Sequence, residues 1–168
     1  MPTEISGSTG VNKIQDGTVV AGDLAGSVAL GKVLQVVYAN YNTDTSVNST
    51  SDISSGLTAS ITPSSSSSKI LITANIPIRM NGDIAMDVNL YKASSSIFLV
   101  GNDAGDNGNS NHENMGPYSF CYLDSPSTTS ATTYTVYVRS TGGSATFNVF
   151  SNGQYGTMTL QEIAGWVQ

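Results

Sequence analysis

The stretch KILITANIPIRM at residues 69–80 decides the fold class. Every second side chain in it is apolar. These apolar positions are Ile70, Ile72, Ala74, Ile76, Ile78 and Met80. A period of two residues puts them all on one face of a sheet, so we predict a strand with one face on a core. Pro77 has no backbone N–H, which predicts an edge strand or a bulge at that point.

Shorter segments with strand character flank this stretch on both sides. A strand is expected after Gly56, and another that begins near Ile84 with Asp87 and Asn89 pointing outward. The apolar run at 97–100 predicts a short buried strand. With no helical period anywhere, about eight strands indicate an all-β, antiparallel β-sandwich of jelly-roll type. The further strand segments are 33–41, 120–122, 134–139, 145–150 and 156–163.

Two connectors in this β region are built almost entirely from Ser and Thr. They are SSSSS at 64–68 and the run at 127–133. Hydroxyl side chains can bond to nearby backbone groups and are well solvated. The sequence therefore predicts inert crossovers, with function at loop tips or subunit contacts instead.

The first residues differ from the rest, which divides the chain into an arm at 1–31 and a β domain at 32–168. The arm carries isolated aliphatic residues, no aromatic residue and no sustained period. Such a segment has no core of its own, so we expect an extended or partly helical arm ordered by another surface, with a disordered leader as the alternative. Symmetric copies of the chain would supply such surfaces, which favours a homo-oligomer. The expected docking or subunit-contact residues are Ile5, Val11, Ile14, Val19, Val20 and Leu24.

Composition excludes several classes of partner. Only 11% of the residues are charged and the net charge is −6, so neutral polar side chains must cover the surface. The six basic residues are scattered singly, whereas nucleic-acid binding needs clustered Lys and Arg. No apolar stretch approaches the ~20 residues of a membrane span, and the N-terminus has no secretory-signal pattern. We therefore expect neither nucleic-acid nor membrane binding.

Catalytic patterns are missing from the sequence. One His and one Cys cannot supply the usual zinc spacings, and neither a nucleophile elbow nor a phosphate-binding loop is present. Cys121 lies between Phe120 and Tyr122, which predicts an inert, half-buried thiol, and His112 lies in a polar loop. We expect a protein without enzymatic activity and without cofactors.

The polar loop GNDAGDNGNSNHENMG at 101–116 is the one candidate for a metal. Carboxylate and amide oxygens are the ligands that Ca²⁺ prefers. The spacing departs from a calcium-binding EF-hand loop, because Gly105 and Asn114 stand where acidic ligands belong. An ordinary Asn/Gly loop is therefore the favoured interpretation, with calcium as the alternative. The candidate ligands are Asp103, Asp106, Asn107, Asn109 and Glu113.

Three long motifs resemble a module of bacteriophage structural proteins. They are GKVLQVVYANYNTDTSVNSTSDISSGLTASITPSSSSSKILI at 31–72, YSFCYLDSPSTTSATTYTVYVRS at 118–140 and TMTLQEIAG at 157–165. Together they resemble the β-rich module of tail-fibre-like virion proteins from marine and cyanobacterial phages. The resemblance implies a trimeric virion component exposed at the tail or capsid surface, and it transfers no functional residues.

Two functions fit these expectations. The first is a short trimeric fibre or spike, with its arm docked on the virion and its β knob free to contact host-surface glycans. The second is a capsid decoration protein, with its arm across the shell. The expected partners are the chain itself and other virion proteins, such as a tail or major capsid protein.

Overall fold

A computed structural model describes residues 32–81, 85–104, 113–141 and 146–165. The predicted arm at 1–31 lies outside these ranges. The described part of the chain contains no helix of the length and hydropathy that crossing a membrane requires. Its strands are β1 (Val33–Tyr41), β2 (Thr45–Val47), β3 (Ile53–Ile61), β4 (Lys69–Asn81), β5 (Met86–Lys92), β6 (Ser95–Ala104), β7 (Glu113–Asp124), β8 (Thr132–Ser140), β9 (Phe147–Val149) and β10 (Gly156–Ile163).

The strands form two antiparallel sheets. Sheet A has the order β1-β10-β4-β7, and the short strands β9 and β2 extend it beside β4. Sheet B has the order β3-β8-β5-β6. Among the eight long strands, the first, eighth, third and sixth in the chain therefore make one sheet, and the other four make the second. This alternation between sheets is the jelly-roll arrangement, so the predicted fold class is confirmed.

Strand β4 lies in the middle of sheet A, with partners on both sides. The edge position predicted from Pro77 is therefore wrong. β7 pairs along residues 70–81 on one side, while β10 and then β9 pair on the other. Pro77 faces Pro117 of β7 and lies in the gap between β10 and β9. The missing N–H therefore costs no ladder bond. The Pro77 carbonyl still accepts a hydrogen bond from the Phe150 N–H at 3.0 Å.

The core lies between the two sheets and follows the alternation in β4. All six apolar positions predicted there are at most 6% exposed, which confirms the predicted core face. Burying an aliphatic side chain of this size contributes about 1.5–3 kcal/mol, so this face is a main source of stability. Sheet B opposes it with Leu57, Val88, Leu90, Val136 and Val138, all fully buried.

Two predictions of burial in sheet B were wrong. Asp87 and Asn89 were expected to point to solvent, yet they are 0% and 5% exposed. The reason is that polar partners cover them on the outer face of sheet B: Arg139 donates to Asp87, and Asn89 donates to Asp52 in the segment before β3. The run at 97–100 was expected to be buried, yet it belongs to the end strand β6 and is only partly covered.

Gly56 and Cys121 also depart from expectation. β3 begins at Ile53 rather than after Gly56, and its pairing with β8 is irregular between Ser54 and Thr58. Gly56 sits inside this irregularity with φ of 90°, where a side chain would collide with the Tyr41 ring. Cys121 is exposed, because the apolar neighbours that predicted a half-buried thiol take the core-facing positions of β7.

Candidate contact surface

The residues singled out from the sequence fall mostly outside the described ranges. This holds for the six arm residues and for Asp106, Asn107 and Asn109. The side chains of Asp103 and Glu113 are likewise outside, although the backbone places them at the end of β6 and the start of β7. The intervening loop therefore connects sheet B to sheet A. The calcium hypothesis stays a prediction.

The serine tract at 64–68 surrounds a buried carboxylate and is not an inert crossover. Glu162 of β10 is 0% exposed. Its Oε1 accepts hydrogen bonds from the Ser64 N–H at 2.7 Å, the Ser64 hydroxyl at 2.6 Å and the Ser68 hydroxyl at 2.7 Å. Its Oε2 accepts a bond from Gln35 Nε2 at 2.6 Å. The tract thus fixes the crossover between β3 and β4 onto the end of sheet A.

These contacts determine the protonation state of Glu162. Burial would raise the pKa of this carboxyl, but the hydrogen bonds from the serines and Gln35 outweigh burial and lower the pKa from 4.5 to about 2. Glu162 is therefore ionised at neutral pH and is too weak a base for proton transfer there. The sequence did contain a signal for the burial of Glu162. In the alternation along β10, this residue falls on the same buried side as Met158 and Leu160.

Just before the second Ser/Thr connector lies another carboxylate that accepts hydrogen bonds from side chains of the protein. Asp124, which ends β7, accepts bonds from Lys92 Nζ at 3.0 and 3.1 Å and from the Tyr134 hydroxyl at 2.7 Å. Burial, followed by the bond to Asp124, raises the pKa of Tyr134 well above its ordinary value. Because Asp124 belongs to sheet A and its partners to sheet B, this cluster joins the two sheets at one end of the sandwich.

A third polar cluster covers the outer face of sheet B. Asp52 accepts bonds from Asn89 Nδ2 at 3.1 Å and from the Tyr91 hydroxyl at 2.6 Å. Arg139 donates to Asp87 Oδ2 through Nε at 2.8 Å and Nη2 at 2.5 Å. The bond to Asp87 raises the pKa of the Arg139 guanidinium, and the bond to Asp52 raises the pKa of Tyr91.

These three clusters hold the fold together. Their carboxylates are engaged by donors of the chain itself. Within the described ranges, no three His, Cys, Asp or Glu side chains come together as a metal site. The surfaces open to a partner must therefore be sought on the outer faces of the sheets.

The first such surface lies on β1, an end strand of sheet A. Among the described strands only β10 pairs with it. Its exposed large apolar side chains are Val33 at 45%, Leu34 at 41%, Val36 at 59% and Tyr38 at 60%. We call these four residues the β1 surface. The strand carries no charge and no proline, although these are the usual devices that protect an edge strand from pairing.

The second surface is a shallow depression across β10, β4 and β7. Two adjoining hollows of about 230 and 310 Å³ share Asn75 in their lining. We call them together the hydroxyl trough, defined by the outward side chains of Thr73, Asn75, Ser119, Thr157 and Thr159. These lie next to one another in the strand register, with Thr157 and Ser119 on either side of Asn75 and Thr159 beside Thr73. The sequence analysis missed this surface, because outward Thr and Asn residues resemble ordinary strand covering.

Comparisons with known proteins give a distant likeness of fold. The chain matches no protein-family profile and no curated protein sequence. Among solved structures it is similar to the T13 particle of infectious bursal disease virus, with 10% identity, a TM-score of 0.48, and coverage of 79% of this chain and 38% of that one. The VP2 subviral particle of the same virus gives 14% identity, a TM-score of 0.44, and coverage of 79% and 39%. The chain thus spans less than two fifths of those proteins, and a likeness at this level supports no statement about function.

Proposed function

We propose that this protein is a non-enzymatic structural component of a bacteriophage virion, a short trimeric fibre or spike. Residues 1–31 dock on the virion, and the jelly roll projects from it and contacts the host surface. The three sequence motifs that resemble phage structural modules support this proposal, and they extend over most of the jelly roll.

The observation that carries the proposal is the position of the β1 surface. Four of the seven exposed large apolar side chains in the described residues lie on this one strand. β1 is also the strand that residues 1–31 enter directly. Uncharged apolar edges of this kind are templates for association with another chain. The anchoring segment and the apolar edge therefore make one continuous region for contacts with copies of the chain and with other virion proteins.

The rest of the jelly roll suits an exposed, durable module. The chain has one cysteine, so no intrachain disulfide holds it together. Buried carboxylates bonded to hydroxyl, amide and ammonium donors take that role at both connectors. The surface is polar but carries few charges, which limits the effect of salt on its shape and contacts.

A truncation tests the docking role of residues 1–31. The chain 32–168 should fold, because the packing and bonds described above lie within it, but it should not bind to virions that lack the protein. Cosedimentation measures binding and circular dichroism confirms the β fold. Attachment of the truncated chain at the level of the full chain would contradict the proposal. Light scattering tests the trimer, and a monomeric full chain would count against it.

The alternative is a capsid decoration protein, which the β1 surface also favours. A flat apolar strip can lie along a shell, and residues 1–31 would reach on the order of 100 Å when extended, enough to cross neighbouring subunits. Copy number separates the alternatives: tens of copies per virion indicate fibres, whereas hundreds indicate shell decoration. Virions without a decoration protein should lose resistance to heat and osmotic shock, and virions without a fibre should lose adsorption to cells.

A further inference from the structure

The hydroxyl trough is a direct result of side-chain size. The middle of sheet A carries short outward residues on three adjacent strands, whereas Tyr38 stands beside Thr159 on the neighbouring strand β1 with 60% of its surface exposed. At the other end, β10 starts only at Gly156, which leaves an opening beside Pro77. Gly116 lines this opening with its backbone, since its register partner Ile78 faces the core.

The described residues of the lining carry no charge. None of those that line the two hollows is acidic or basic, although the chain has a net charge of −6. Asn75 Nδ2 donates to the Ser119 hydroxyl oxygen at 2.8 Å. That bond uses one amide proton of Asn75. Its carbonyl oxygen and the Ser119 hydroxyl proton have no partner among the described residues, so both stay available to a ligand.

From this lining we infer that the hydroxyl trough binds a neutral oligosaccharide. Adjacent sugar hydroxyls each donate and accept a hydrogen bond, and the Thr, Ser and Asn side chains offer both functions at the spacing of neighbouring strands, about 4.8 Å. Such a lining in an acidic protein disfavours anionic glycans, because none of its described residues is a Lys or Arg that could pair with their charge.

This inference deepens the proposed function, since it gives the chemistry of the surface that the exposed domain would contact. A single trough of this depth would bind weakly, and repeated copies on one particle would multiply the effect. The test uses the purified full chain and is therefore independent of docking on the virion. Failure to bind a glycan would leave the docking proposal intact, and failure to dock would leave the glycan inference intact.

The experiment measures glycan binding with a probe on Cys121, the one cysteine of the chain. Cys121 is exposed and faces Thr73 across the β4–β7 ladder, so an environment-sensitive fluorophore on it reports on the trough. The neutral ligands are maltohexaose, chitohexaose and dextran, and the anionic control is hyaluronan. Calorimetry on the unlabelled chain checks that the label does not create or block binding.

Two variants and a matched control identify the site. Ser119→Trp places an indole ring over the hollow from an exposed position on the outer face of β7, and Asn75→Ala removes the amide from the shared lining. Ser60→Trp is the control, because Ser60 has a comparable cross-strand bond to the Thr133 hydroxyl at 2.7 Å on the outer face of sheet B. Circular dichroism verifies the fold of all three variants.

We expect at least one neutral ligand to bind and hyaluronan not to bind. Affinity should fall by about tenfold in Asn75→Ala, the effect of one or two hydrogen bonds, and by more in Ser119→Trp. Ser60→Trp should bind as the unmodified chain does. No binding of any neutral ligand, or binding that Ser119→Trp leaves intact, overturns the inference. Loss of oligomerisation in Ser119→Trp without any glycan binding would likewise overturn it, and would assign this face to a contact between copies.

Discussion

Replacement of Glu162 by Gln should destabilise the protein strongly at neutral pH. The carboxylate accepts three bonds on Oε1 and one on Oε2. A glutamine amide has only one oxygen, so its NH₂ group must face either the serine donors or Gln35 Nε2. Turning the Gln35 amide relieves that conflict but breaks its 2.7 Å bond to the Thr62 carbonyl.

The size of the effect follows from the pKa of Glu162. It is lowered from 4.5 to about 2, and each pH unit corresponds to about 1.4 kcal/mol, so the ionised form stabilises the fold by about 3 kcal/mol. Because the folded pKa is depressed, this contribution is complete above about pH 5 and falls as the pH drops toward the folded pKa. It should be reduced to about 1.4 kcal/mol at pH 3 and nearly lost at pH 2.

Urea denaturation followed by circular dichroism at pH 7 and pH 3 measures both quantities. Glu162→Gln should be about 3 kcal/mol less stable than the unmodified chain at pH 7, which corresponds to a melting temperature lower by roughly 10 °C. At pH 3 the difference should shrink by at least half. Asp44→Asn is the control, because it removes an exposed carboxylate and should change stability by at most about 0.5 kcal/mol.

Either of two results would refute this reasoning. One is a Glu162→Gln variant as stable as the unmodified chain at pH 7. The other is a loss of stability that stays constant between pH 7 and pH 3, which would show that packing and not charge is responsible.

Three further predictions concern the two connectors and the thiol. Tyr134→Phe removes a buried donor to Asp124 and should cost about 1–2 kcal/mol in urea denaturation, and an unchanged midpoint would contradict the role of that bond. Gly165→Ala places a methyl group against the Ser67 backbone and should cost about 1–3 kcal/mol by the same assay, and an unchanged midpoint would show instead that the serine tract shifts to make room. Cys121 should react with a maleimide in the native state at nearly the rate of a free thiol, whereas protection until unfolding would show that it is covered.

The alternation in β4 was sufficient to predict the sandwich, because a period of two over a long strand has no helical alternative. Pro77 was misread since the sequence does not show where neighbouring strands end. A proline is normally excluded from a central strand, but here β10 stops before it and β9 starts after it.

The polar clusters could not be predicted from the pattern of any single strand, because their members come from different strands. Asp87 has the phase of an outward residue, and its burial depends on Arg139 of the neighbouring strand β8, which donates to it. Glu162 is different, because its phase along β10 did indicate a buried position. Combining that phase with a nearby tract of hydroxyl donors would have identified the carboxylate site from the sequence.

The candidate surfaces depend on how strands are ordered in space. Thr73, Ser119 and Thr157 are far apart in the chain, and each alone is an ordinary outward residue. They form one trough only because β10, β4 and β7 are adjacent in sheet A. Strand order of this kind is set by the jelly-roll crossovers and not by any local pattern.

Attachment of the full chain and of the chain 32–168 to virions that lack the protein is the most direct test of the proposed role. The account predicts that both fold as β proteins and that only the full chain cosediments with the particles. Equal cosedimentation of the two, or none by either, would contradict it.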